Sequence, residues 1–190
     1  MPRRRWIAAG GALVGLIFTS TLTTGALWRD SISLDAGQVS AGSLVLLNGN
    51  AVTQVEAYAF TALAGGNLRP SSSAQAPLTM RNGGSTQLSY RLSDTTTTGS
   101  SALPASLTLS INELAGGAAC PTGVDVPPAT DPGSEVYVGP LVGATSTALR
   151  PLAPSATETL CVRIAVADSA PQGVSDTSTQ VRFTFAAVQG

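Results

Sequence analysis

In Val181-Arg182-Phe183-Thr184-Phe185 every second residue is apolar. No other feature constrains this chain's fold as tightly. Residues i, i+2 and i+4 share one face only on a strand; wound into a helix they would scatter around it. The same period recurs at Leu88, Tyr90 and Leu92, at Leu107, Leu109 and Ile111, and at Leu160, Val162, Ile164 and Val166. A shorter case is Leu78 and Met80. Ser43 to Leu47 and Val136 to Val138 read as further short strands. Val52 to Ala64 alternates only in part and reads as a strand or a short helix.

Turn residues separate these segments. Asn82-Gly83-Gly84 lies between two of them and reads as a hairpin turn. The Ser/Thr-rich run from Ser93 to Ser101 reads as an exposed connection, and 115–155, rich in Pro and Gly, as long loops. There is no splitting linker and no repeat. The expectation is an all-β fold, an antiparallel β-sandwich of about seven to nine strands. It is read as jelly-roll-like, with an immunoglobulin-like order as the alternative.

The N-terminus has a different logic. Met1-Pro2-Arg3-Arg4-Arg5 is followed by an apolar run to about Phe18, then by small residues to Ala26. This is the order of a secretory signal peptide. Thr24-Gly25-Ala26 places small residues before a cleavage between Ala26 and Leu27. The expected organisation is a signal peptide at 1–26 and a single β-sandwich domain at 27–190. The alternative is a retained anchor, since the residues from Trp6 to Trp28 are all uncharged and numerous enough to cross a bilayer. With cleavage, the chain meets the membrane only through the signal segment. The whole chain carries a net charge of −1; without its three leading arginines it has seven bases against eleven acids, or −4.

Cys120 and Cys161 are the two cysteines, and behind an export signal they are expected to pair. Closing a loop of about 40 residues is worth roughly 3–4 kcal/mol on the chain-entropy relation. In a regular strand Cys161 points away from Leu160, Val162 and Ile164. The bridge should therefore pin the Pro/Gly-rich loop across the outer side of a sheet.

Composition excludes much chemistry. With no histidine, the commonest general base and metal ligand is missing, and with it HExxH zinc sites and Ser-His-Asp or Cys-His catalysis. No GxSxG, P-loop or GxGxxG is present. A loose calcium site at Asp125, Asp131 and Glu135 is weighed against solvated loop acids, and the latter is preferred. A near-neutral charge argues against nucleic-acid partners. The expectation is no catalytic residue, no metal and no cofactor.

Several segments resemble the TasA/camelysin family of secreted bacterial proteins. Thr24-Gly25-Ala26-Leu27-Trp28-Arg29-Asp30-Ser31 is similar to its export junction. Ala41-Gly42-Ser43-Leu44-Val45-Leu46 is similar to its SGxLxL segment, and Val181 to Gln189 to its terminal xFxFxAxQ strand. Leu78 to Gly84 resembles its xxxNxG hairpin. Residues 93–155 match no part of the pattern, and the cysteine pair departs from it. The resemblance implies a jelly-roll-like sandwich and processing by a SipW-type signal peptidase. It also implies secretion and assembly of copies into extracellular biofilm fibres, in which the N-terminal segment of one subunit completes the sheet of the next. The assembly segment would run from Leu27 to Leu47, with Trp28, Leu44 and Leu46 as its apolar contacts. The family's metallopeptidase label fits poorly on a chain without histidine.

The sequence thus points to a secreted structural protein assembling by β-strand addition. The alternative is a monomeric cell-surface or secreted binding module using the loops 93–104 and 115–155. All ten basic residues are arginine. Lysine, a common guard of exposed sheet edges, is absent, which fits strand addition and equally fits a bias of composition.

Overall fold

The computed structural model describes residues 42–65, 68–99, 102–116, 118–130, 132–171 and 177–190. Ten strands follow in order among them: β1 (Leu46–Gly49), β2 (Gln54–Val55), β3 (Ser73–Asn82), β4 (Leu88–Gly99), β5 (Leu107–Leu114), β6 (Gly123–Val124), β7 (Pro132–Pro140), β8 (Arg150–Leu152), β9 (Thr157–Val166) and β10 (Thr179–Gln189). A 3-10 turn at Thr61–Leu63 and the one-turn helix α1 (Ala102–Ala105) are the helical pieces. The larger sheet has the order β2-β1-β3-β9-β5-β7, with β6 also paired to β3. The smaller sheet has the order β10-β4-β8. All pairings are antiparallel, and the two sheets form an all-β sandwich.

The period-2 pattern separates inside from outside. Leu88, Tyr90 and Leu92 of β4 are fully buried, and so are Leu109 and Ile111 of β5 and Leu160 and Val162 of β9. Removing one such side chain from water contributes roughly 1.5–3 kcal/mol. An exposed ion pair contributes about 0–1 kcal/mol, so apolar packing dominates the stability of this sandwich.

β3 is buried on both faces. Ala74, Ala76, Leu78 and Met80 meet the core, while Ser73 and Gln75 on the other side are covered by the loop after β5. As expected, Cys120 and Cys161 are joined, with Cα atoms 5.6 Å apart, and the bridge pins that loop to the outer side of β9. Three further ties hold it. The Gln75 Nε2 donates to the carbonyls of Pro121 (3.0 Å) and Pro127 (3.3 Å). Arg163 donates to the Val126 carbonyl at 3.2 Å. β6 adds two rungs to β3.

Four expectations are corrected. Asn82-Gly83-Gly84 does not close a hairpin, because β3 and β4 lie in different sheets. β1 and β9 already occupy the two edges of β3 there, so the chain arches into the other layer. Asn82 fixes the arch: its Nδ2 donates to the carbonyls of Thr86 (2.8 Å) and Leu152 (2.9 Å), and its Oδ1 accepts from the Gly84 N–H (2.9 Å). Ser93 to Gly99 is strand, not connection, since threonine suits a pleated surface and Asp94 to Gly99 pair with the first half of β10. Within 115–155 the strand expected at Val136–Val138 is the centre of the longer β7, and β6 and β8 are also present. Val52 to Ala64 holds the short β2 and the 3-10 turn rather than one element.

Candidate functional site

Among the described residues the two sheets end in β2, β7, β8 and β10, and the two-residue β6 adds a short further edge beside β3. Free edges invite pairing with other chains, and natural sheets shorten or interrupt them. β2 has two residues and β8 has three, one of them Pro151. β7 begins and ends in proline, carries Glu135, and twice loses register with β5. β10 is different. Its eleven residues contain no proline and a single charge, Arg182. Its one irregularity against β4 leaves Ser93 as the extra residue on β4, so β10 itself stays regular. Among the described residues no strand pairs with its outer edge.

The side chains of β10 match this openness. Val181, Phe183, Phe185 and Ala187 face the core and pack against it, yet all four are only half-buried. Leu88, Tyr90 and Leu92 on the neighbouring β4 face the same interior with no exposure. Apolar surface therefore continues sideways past the end of the smaller sheet. Contacts between the layers fix which end that is. Arg150 of β8 reaches Glu113 of β5 and Ser134 of β7, while Tyr90 of β4 reaches Glu158 of β9. β10 thus falls on the β3–β1 side of the larger sheet. There the core is bounded by half-buried Leu46, Tyr58 and Phe60.

The expected site residues are distributed as follows. Ala26, Leu27 and Trp28 lie outside the described residues. Leu44 is exposed. Leu46 is a rung of β1, opposite Asn82 of this chain's own β3. Upstream of β1, Ser43 is held on the β3–β4 arch: its carbonyl accepts from the Ser85 N–H at 3.0 Å, and its N–H donates to the Ser85 Oγ at 2.9 Å. Gly84 permits this approach, because a Cβ there would lie 2.3 Å from the Ser43 oxygen. The Asp125 carboxylate accepts from the Ser73 N–H (2.8 Å) and the Ser72 hydroxyl (3.1 Å), so it caps the start of β3. No three acidic or thiol side chains converge as metal ligands among the described residues.

A polar cluster that the sequence reading missed sits between the layers. The Arg150 guanidinium binds both Glu158 and Glu113, the latter at 2.5 Å, and its Nη1 donates to Ser134 at 2.8 Å. Ser134 donates to Glu113 at 2.6 Å, and the Tyr90 hydroxyl donates to Glu158 at 2.7 Å. The Ser134 hydroxyl and then the Arg150 guanidinium hold the Glu113 carboxyl below its ordinary value. Burial works against the Arg150 charge, but the bonds to Glu158 and Glu113 outweigh it and hold it protonated. Burial, then the neighbouring Glu158 charge, pushes the Tyr90 phenol well above the ordinary tyrosine range. Chemically, the charges are engaged with one another. Parity would have revealed two members: Glu113 continues the inward series Leu107, Leu109, Ile111, and Glu158 precedes Leu160, Val162, Ile164. A cavity of about 580 Å³ opens beside the cluster, lined in part by Glu113, Leu114, Pro151, Thr157 and Thr159.

No protein-family model matches the sequence, and comparison with curated proteins finds no match.

Proposed function

We propose that this is a secreted, non-catalytic structural protein whose copies assemble into extracellular fibres by β-strand addition, with the free edge of β10 as acceptor. The observation that carries this reading is the long, regular β10 edge, unpaired among the described residues, with half-buried Val181, Phe183 and Phe185 beside it. The resemblance to the TasA/camelysin family supports it, as does a disulfide, which is compatible with an extracellular location. An added strand would meet a row of main-chain donors and acceptors and cover apolar surface, the usual terms of β-augmentation.

The donor is the N-terminal segment of another copy. Because Ser43 and Leu46 are bound within their own subunit, the donor shortens from the expected 27–47 to about 27–41. Extended, those residues reach roughly 50 Å, more than the roughly 36 Å of β10. Trp28, Ile32, Leu34 and Ala36 fall at even positions of this stretch and share one largely apolar face, with Asp30 as its one charge. The test is electron microscopy of the chain starting at Leu27 beside the same chain lacking 27–36. Fibres from the first and monomers from the second are expected. Monomers from both overturn the proposal.

The cavity beside Arg150 favours a second reading, a monomeric surface or secreted binding module. The cavity is an open groove, lined in part by Glu113, Arg150 and Thr159, whose polar groups a small polar ligand could meet. A stable monomer that retains a ligand from its native medium, lost on Leu114→Trp, would support that reading.

A further inference from the structure

We propose that Tyr90, Glu113, Ser134, Arg150 and Glu158 form an acid-released clasp between the two sheets. This is independent of how copies assemble. The five side chains come from five strands in both layers: Tyr90 from β4 and Arg150 from β8 in the smaller sheet, and Glu113, Ser134 and Glu158 from β5, β7 and β9 in the larger. The ion pairs seen among the described residues are the two made by Arg150. The Arg150–Glu158 pair is shielded, with side chains 17% and 9% exposed, while Glu113, 35% exposed, closes the cluster at a rim that water partly screens.

The bonding pattern makes the clasp depend on ionised carboxylates. Arg150, Tyr90 and Ser134 all donate to Glu113 or Glu158, and only the Arg150–Ser134 bond does without them. Protonating the carboxylates leaves a shielded guanidinium without counter-ions, which is a costly arrangement. The titratable groups facing one another here are Tyr90, Glu113, Arg150 and Glu158. From β10 the neighbour of Tyr90 is the Phe185 ring, at 6.1 Å. Glu135, next along β7, is exposed and stands opposite Asn112.

The direction follows from Glu113. Its folded value lies below its unfolded one, so its contribution is complete above the unfolded carboxyl range. It is lost as pH falls through the folded value. The apolar core does not titrate. Acid therefore loosens the β8–β4 side of the smaller sheet before the interior of the larger one.

The test is urea unfolding of the purified chain between pH 7 and pH 3, beside the Glu113→Gln/Arg150→Met/Glu158→Gln variant. The wild-type unfolding constant should rise about tenfold for each pH unit by which the clasp depresses a carboxyl. The variant should lose most of that dependence. Equal pH dependence in both, or none in the wild type, overturns the clasp. Should the triple variant not fold, Glu113→Gln at the exposed rim gives the same comparison, with a flatter profile expected. Amide exchange, corrected for intrinsic rates, localises the effect. Tyr90 and Leu152 should open at higher pH than Ile164, and uniform opening overturns the proposal.

Discussion

Replacing Cys120 and Cys161 together by alanine should lower stability without changing the fold. The two cysteines are 41 residues apart in sequence. For a loop of that length the chain-entropy relation gives about 4 kcal/mol, all of it from freeing the unfolded chain. The folded chain keeps its other restraints: the bonds of Gln75 to Pro121 and Pro127, that of Arg163 to Val126, and the rungs of β6 on β3. Each hydrogen bond contributes about 0.5–1.5 kcal/mol, so the loop stays seated over β3 and β9. Against a total of about 5–15 kcal/mol for a domain, the loss is a large fraction. Urea unfolding of the oxidised chain and the double variant measures it. The m-value should rise in the variant, because its unfolded state is no longer cross-linked and exposes more surface. A loss below about 1 kcal/mol with an unchanged m-value would refute the reasoning, since the unfolded ensemble would then not feel the cross-link.

The remaining predictions concern single side chains. Tyr90 should resist ionisation: with its phenol raised, its stabilising contribution is full below the ordinary tyrosine range and lost above it. In ultraviolet absorbance the Tyr90 step, identified by its loss in Tyr90→Phe, should appear only as alkali unfolds the chain; a reversible Tyr90 step in the folded chain contradicts this. Asn82→Ala should cost about 1–3 kcal/mol for each of the Thr86 and Leu152 carbonyls left unpaired, read by urea unfolding. Gly84→Ala should push Ser43 off the arch and leave the core intact, seen as faster proteolysis near residue 43 with an unchanged unfolding midpoint.

The strands were legible where one face is buried and the other is wet. Leu107, Leu109 and Ile111, or Leu88, Tyr90 and Leu92, needed only their period. So did the outward direction of Cys161, which follows from its odd place beside Leu160 and Val162. The second half of β4 was hidden because Thr95 to Thr98 carry no hydrophobic period; they are strand because β10 lies beside them. Asn82-Gly83-Gly84 has the local chemistry of a hairpin turn. What turns it into an arch is non-local: β1 and β9 fill both edges of β3. The inter-sheet cluster depends on Arg150 lying opposite Tyr90, a register that no local signal encodes. The openness of β10 likewise belongs to the strand order, although the terminal Val181-x-Phe183-x-Phe185 pattern marked the strand itself.

Assembly on the β10 edge is tested most directly by the size and morphology of the chain starting at Leu27, followed by light scattering and electron microscopy beside Val181→Lys. Val181 is half-buried at the open edge, so a lysine there places a charge in the path of an incoming strand. Fibres are expected from the wild type and a folded monomer from the variant. A wild type that stays monomeric, or a variant that assembles equally well, would contradict it.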